Sequence, residues 1–250
     1  MESLTVFSAL WLFVAGCLAG GLNAVAGGAT FFTFPALIAS GLPPLTANAT
    51  NFVALVPSNI AALPAFRTEL RAEGRALLPL LAVCGVGGVL GAVLLLWLGG
   101  GVFERLVPWL MGSATLLFAW APALRRRFGG QAIRPAVIWG MLFGFSIYGG
   151  YFGAGLGQIM LAAMVLSGRD DFHMANALKN AVIGWISVLA LVVYGVGAAI
   201  AWPQALVMMA GAAIGGYWGG TLSRVVPQRV LRAVVIVFGA VLTVYYFWST

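Results

Sequence analysis

Stretches of about twenty residues with almost no charge follow one another along this chain, and about 20 apolar residues are what a helix needs to cross a bilayer core. Of its 250 residues 62% are hydrophobic and only 8% charged, with a mean hydropathy of +1.03, whereas soluble domains carry roughly 25% charged residues. The reading is an all-α integral membrane protein, with the lipid bilayer as its standing partner and no segment left over for a soluble domain. The net charge of +7 does not point to nucleic acid. The arginines stand singly or in short loop clusters such as Arg125-Arg126-Arg127, which read as topology signals. Cys17 and Cys84 lie in apolar runs without metal-ligand spacing and read as small packing residues. Val14-Ala15-Gly16-Cys17 has the look of a lipoprotein cleavage box, but only Glu2 precedes an apolar run longer than a signal peptide's, so the segment is expected to be a retained first helix.

The two halves of the chain match at an offset of 127 to 128 residues. Gly28 maps to Gly155, Gly41 to Gly168, Asn48 to Asn176, Gly87-Gly88 to Gly215-Gly216, Gly91 to Gly219, Arg105 to Arg232 and Gly112 to Gly239. One such match means little among 34 glycines, but an ordered series marks an internal duplication, divided here as 1–124 and 125–250. The first half predicts helices near 4–24, 46–66, 76–98 and 103–122, with a short apolar piece near 29–40 after a Gly break. The second predicts them near 133–150, 172–197, 200–222 and 227–248, with its short piece at 155–167. A helix of 12 or 13 residues rises roughly 18–20 Å, well short of a roughly 30 Å apolar slab. If both short pieces nevertheless cross, the loops at 67–75, 122–134, 168–172 and 223–229 share one side and collect nearly every arginine, as the positive-inside rule requires. That predicts about ten segments, eight long and two short, with both termini outside the cytoplasm. Five segments per half is odd, so the second half enters the membrane inverted, the arrangement of secondary transporters built on broken helices.

Within this apolar landscape Lys179 is the exception, in Ala175-Asn176-Ala177-Leu178-Lys179-Asn180, with a weaker copy at Ala47-Asn48-Ala49-Thr50-Asn51. A cation in an apolar segment costs several kcal/mol unless protein, water or an anion offsets it. Asn176, Lys179 and Asn180 share one helix face at i, i+3 and i+4, and Asn48 and Asn51 share another. Lysine would supply charge and the amides the donors an oxyanion needs. Helix starts after Gly28 and Gly155 would add free N–H groups and the positive end of a dipole.

These motifs resemble the TauE/SafE family of sulfite and organosulfonate exporters, also called the toluene-sulfonate uptake permease family. The resemblance rests on Ala26-Gly27-Gly28 with Pro35 and Gly41, on Ala47-Asn48-Ala49-Thr50-Asn51, and on Gly153-Ala154-Gly155 through Asn180, and it covers essentially the whole chain. It implies a duplicated carrier for sulfur-containing or related organic anions, and it is poor at naming a substrate or a direction. Asn51 stands where the helix register places Lys179, so only one cation is expected at the site. The expected substrate-binding set is Lys179, Asn176, Asn180, Asn48, Asn51, Thr50, Gly27, Gly28, Gly153, Gly155, Gln158 and Tyr151.

Blander readings stand beside several of these. Asn48 is equally a helix cap, and Lys179 a residue snorkelling toward 168–172 or paired with Asp170 or Asp171. Gln158, polar where the first half has Phe31, is equally helix-packing glue, and Tyr151 equally an interfacial anchor. His173 reads as a surface residue. The Gly-Gly-x-x-Gly sets at 87–91 and 215–219 read as close-packing faces, used within the protomer or across a homodimer. Gly27-Gly28 lacks the lysine of a P-loop. No catalytic residues, cofactor or metal are expected, since one His and no embedded carboxylate give an enzyme little to work with. All six acidic residues fall in loops or at segment ends, against coupling through an embedded carboxylate. The functional expectation is a secondary transporter, in the export direction, for sulfite, sulfoacetate or similar anions by alternating access. An anion channel, or a carrier of non-sulfur carboxylates, is the alternative.

Overall fold

The structure is a computed structural model that describes residues 5–25, 27–61, 63–128, 134–168, 171–197, 199–222 and 228–249. Among these every regular element is helical and none is a strand. The elements are α1 (Val6–Val25), α2 (Thr30–Ala39), α3 (Pro44–Ala61), α4 (Arg67–Glu73), α5 (Leu77–Phe128), α6 (Pro135–Tyr151), α7 (Leu156–Leu166), α8 (Phe172–Val196), α9 (Trp202–Leu222) and α10 (Gln228–Ser249). The expected helix near 46–66 stops earlier, at Ala61, and is followed by a 3₁₀ turn at Leu63–Phe66. Pro64 accounts for part of this, because a proline lacks the N–H that would continue the α-helical ladder.

The two helices expected at 76–98 and 103–122 form one element, α5, broken only at Gly99, where φ is 75° and ψ 174°. Straight, its 52 residues would run about 78 Å, more than twice a bilayer core of about 30 Å. A methyl built on Gly99 would meet nothing within 4 Å, so its torsions rather than its surroundings require glycine. The first arm, 77–98, packs along α6 through Gly91, and the second, 100–128, meets α10 where Gly112 lies against Thr243 and Trp109 against Phe247.

Helices α2 and α7 are punctuated alike. Gly28 (φ 92°) and Gly155 (φ 72°) precede them, and Gly41 (φ 89°) and Gly168 (φ 87°) follow them. At their C-terminal ends Ser40 Oγ donates to Leu37 O at 2.7 Å and Ser167 Oγ to Met164 O at 2.6 Å. With 10 and 11 residues they rise roughly 15–17 Å, so both are as short as the sequence predicts.

Packing partners are exchanged between the halves of the chain. Helix α1 runs along α9, where methyls built on Gly16 and Gly215 would fall 2.5 Å from Met208 O and 1.9 Å from Cys17 O. Helix α6 runs along the first arm of α5, with methyls on Gly91 and Gly150 falling 2.0 Å from Ile147 O and 1.9 Å from Gly88 O. The expected face at 87–91 and the Gly215-Gly216 start of the one at 215–219 therefore pack within the chain, while the side-chain surroundings of Gly219 lie outside the described residues. Helices α3 and α8 pack on each other at the centre. Beside them Phe34 packs edge-on against Phe103 at 6.3 Å and Phe152 at 5.4 Å.

The exterior is apolar. Trp97, Trp109, Trp120, Tyr217 and Trp248 are each more than 60% exposed, which a soluble monomer does not sustain. By length and composition, the stretches 6–23, 67–121 and 173–196 can cross a membrane. Much of the arginine pattern, including the side chains of Arg125-Arg126-Arg127 and residue 224, lies outside the described residues.

Candidate functional site

Where α3 and α8 meet, a small cavity is lined by the starts of the two short helices and by a polar face of each central helix. Asn23 of α1, Gly28, Ala29 and Thr30 before and on α2, Asn51, Leu55 and Asn59 of α3, Gly153, Leu156 and Gly157 around α7, and Ile183, Ile186 and Ser187 of α8 contribute its walls. The cavity volume is about 40 Å³, of the order of one water's share of the liquid, about 30 Å³. The glycines let the two helix starts abut here. A methyl built on Gly157 would lie 3.3 Å from Gly27 Cα.

The lining hydrogen bonds decide the site's chemical character. Asn51 Oδ1 accepts from Thr33 Oγ1, and its Nδ2 donates to Thr30 Oγ1 at 3.3 Å. Asn23 Nδ2 donates to Asn59 Oδ1 at 2.8 Å and to Ser58 Oγ at 3.2 Å, while Asn59 Nδ2 donates to Ser187 Oγ at 3.2 Å. Each amide nitrogen carries two hydrogens and each hydroxyl one. One N–H each of Asn51 and Asn59, the hydroxyl protons of Thr30 and Ser187, and the backbone N–H groups of Ala29 and Gly157 thus have no acceptor among the described residues. Of the lining side-chain amide oxygens only Asn23 Oδ1 lacks a described donor. A wall with donors in surplus suits an oxyanion and repels a bare cation.

The residues singled out from sequence fall into two groups. Asn51, Gly28 and Gly153 line the cavity. Lys179 does not, yet it stands on the same face of α8, one turn before Ile183 and two turns before Ser187. It is 6% exposed and forms no ion pair or hydrogen bond with a described residue; Asp170 lies outside those residues. Asp171 instead caps α8, accepting from His173 N at 3.0 Å. Asn176 and Asn180 are half-buried on the same face.

The others hold the walls. Asn48 is fully buried in the second turn of α3, not at its cap, and its Nδ2 donates to Tyr151 O at 2.9 Å. Asn48 Oδ1 and the Tyr151 hydroxyl are buried without a described partner. Tyr151 is 5% exposed, against an interfacial anchor, and packs on Phe103. Thr50 points away from the cavity, its Oγ1 accepting from Ala201 N at 3.0 Å at the start of α9. Gly155 packs against Ala114 of α5, and Gln158 is half-buried in the first turn of α7.

Sequence reasoning missed Asn23, Thr30, Asn59 and Ser187. Asn59 and Ser187 each stand eight residues beyond Asn51 and Lys179, on the same helix faces, and they are 128 residues apart, the spacing already read from the repeat.

The family model described as "Sulfite exporter TauE/SafE" matches residues 12–246. A "Probable membrane transporter protein" of Haemophilus influenzae is 29% identical over 241 residues, covering 93% of this chain and 91% of its own. "Probable membrane transporter protein YfcA" of Escherichia coli K12 is 29% identical over 243 residues, covering 93% and 87%. "Probable membrane transporter protein ORF9" of a Sinorhizobium species is 25% identical over 247 residues, covering 98% and 94%. No solved structure matches the chain.

Proposed function

The chain belongs to the sulfite exporter TauE/SafE family of membrane transporters, and from that premise we propose that it is a secondary exporter of small sulfur oxyanions. The observation that carries this reading is the surplus of donors without an acceptor among the described residues around the cavity between α3 and α8. A cavity of about 40 Å³ favours a compact ion such as sulfite over sulfonates with a longer organic tail. Lys179, at the position equivalent to Asn51 and on the face that lines the cavity, is the principal charge. No residue here is assigned a catalytic role, and the chain is read as a carrier rather than an enzyme.

Transport is by alternating access between halves 1–124 and 125–250, related by a two-fold axis in the membrane plane and each contributing five segments. The exchanged packing of α1 on α9 and α6 on α5 supports this, as does the Asn59–Ser187 bond between residues 128 apart. Such a pair lies on the axis if the halves are so related. Both termini are placed on the non-cytoplasmic side of the inner membrane. Sulfite counterflow in proteoliposomes tests the function. Saturable flux stimulated by unlabelled sulfite on the opposite side supports a carrier, whereas unsaturable flux without counterflow replaces it with a channel.

A further inference from the structure

Outside the cavity, at the far end of α3, the chain builds an open hollow of about 620 Å³ lined by Ile60, Leu63, Pro64, Arg67, Leu70 and Arg71. Its position follows from the early stop of α3. Asn59 lines the inner cavity, Ile60 lines the hollow, and Leu63 lies about one turn further along. The 3₁₀ turn and α4 then fold back against α8, where Leu70 packs on the cluster that contains Leu178 and Val182, the flanks of Lys179. Arg67 and Arg71, at i and i+4, share the face of α4 that Leu70 anchors, and both are exposed. Neither Glu69 nor Glu73 lines the hollow.

We infer that this hollow is an encounter site for the transported oxyanion, in which Arg67 and Arg71 collect the ion before it passes the end of α3 to the inner cavity. The inference rests on the oxyanion reading above and adds to it where the ion enters. Paired guanidinium groups bind oxyanions through several N–H donors in a fixed fork. Two like charges at the mouth of an apolar wall raise the local concentration of anions, an effect on association rate more than on final affinity. In the exporting orientation the 67–75 loop faces the cytoplasm, the side from which substrate comes.

The test is rapid mixing of sulfite, and separately sulfate, with the purified full chain, followed by intrinsic tryptophan fluorescence across a range of ionic strength. The double variant Arg67→Gln/Arg71→Gln is expected to lose about tenfold in association rate at low salt. The gap should narrow near 0.15 M, where the screening length is about 8 Å, with the dissociation rate unchanged. Arg67→Lys/Arg71→Lys keeps the charges and should retain most of the rate, which a purely structural role for the arginines would not predict. Association by the glutamine variant at the wild-type rate and salt slope overturns the inference and leaves the inner site standing. A rate advantage of the wild type that appears only in nanodiscs containing anionic lipid overturns it too, by giving the hollow to a lipid headgroup. A wild-type chain with no saturable response to either ion overturns both readings together.

Discussion

The polar faces of α3 and α8 are the same surface drawn twice with different chemistry. Asn48, Asn51 and Asn59 on the first correspond to Asn176, Lys179 and Ser187 on the second, each at an offset of 128. On α3 the face is tied down, since Asn51 is bonded to both Thr30 and Thr33, and Asn48 to the backbone of Tyr151. On α8 the equivalent of Asn51 is a buried lysine without a described partner. The threonines have no equivalents on α7 either. At an offset of 127, Thr30 maps to Gly157 and Thr33 to Met160, so the two hydroxyls that bond Asn51 have no counterparts at those positions. One face thus serves as a fixed wall and the other carries charge. On the proposed reading, one such divergence between the two faces is enough to leave a single cation beside the cavity.

The largest effect should come from breaking the exchange of packing partners that brings the faces together. Gly150→Ala and Gly215→Ala each place a methyl 1.9 Å from a backbone carbonyl oxygen, which no rotamer relieves, and neither variant should give a monodisperse folded peak on size-exclusion chromatography. Gly140→Ala, with nothing within 4 Å, is the control that should fold normally.

Next is the charge itself. Removing a hydrogen-bonding charged group forfeits about 1.5–3 kcal/mol, so Lys179→Ala should lower sulfite affinity roughly 10- to 150-fold in proteoliposome flux at matched protein levels. Folding should persist, because loss of an embedded charge relieves an insertion cost. Lys179→Arg should retain part of the affinity, since the guanidinium differs in shape from the ammonium. Wild-type kinetics in Lys179→Ala would erase the distinction between the two faces.

Asn51→Leu sharpens the comparison from the other side. It leaves the hydroxyls of Thr30 and Thr33 without their amide partner and should destabilise the protein by about 1–3 kcal/mol, read as a lower melting temperature, with less effect on sulfite affinity than Lys179→Ala. The smallest effect belongs to Ser187→Ala, which removes one neutral bond to Asn59 and should cost about 1 kcal/mol. Equal losses for Asn51→Leu and Lys179→Ala in both assays would mean that the faces do not divide the work.

Most of the scaffold was legible in the sequence because hydrophobic runs and glycine punctuation act locally. The short helices begin and end where Gly28, Gly41, Gly155 and Gly168 permit it, and no distant contact is needed to know that a chain this apolar lives in lipid. Asn51 was legible for the same reason, as a polar residue where lipid tolerates few, whereas Lys179, marked by the same signal, stands on the cavity's helix face but not in its lining. Asn23, Thr30, Asn59 and Ser187 were not, since a lone Asn or Ser in a helix reads equally as packing glue. Only tertiary structure brings α1, α3 and α8 together so that these side chains bond to one another around a common cavity. Thr50 shows the converse. Its place in a polar motif marked it as a ligand, but the chain's path takes Ala201 past its hydroxyl and makes it a brace for α9. Composition and periodicity determine where each segment of this protein sits, because they depend only on neighbours in the chain. Which polar groups stay free for an ion depends on who donates to whom across helices, and that is decided only when the halves pack.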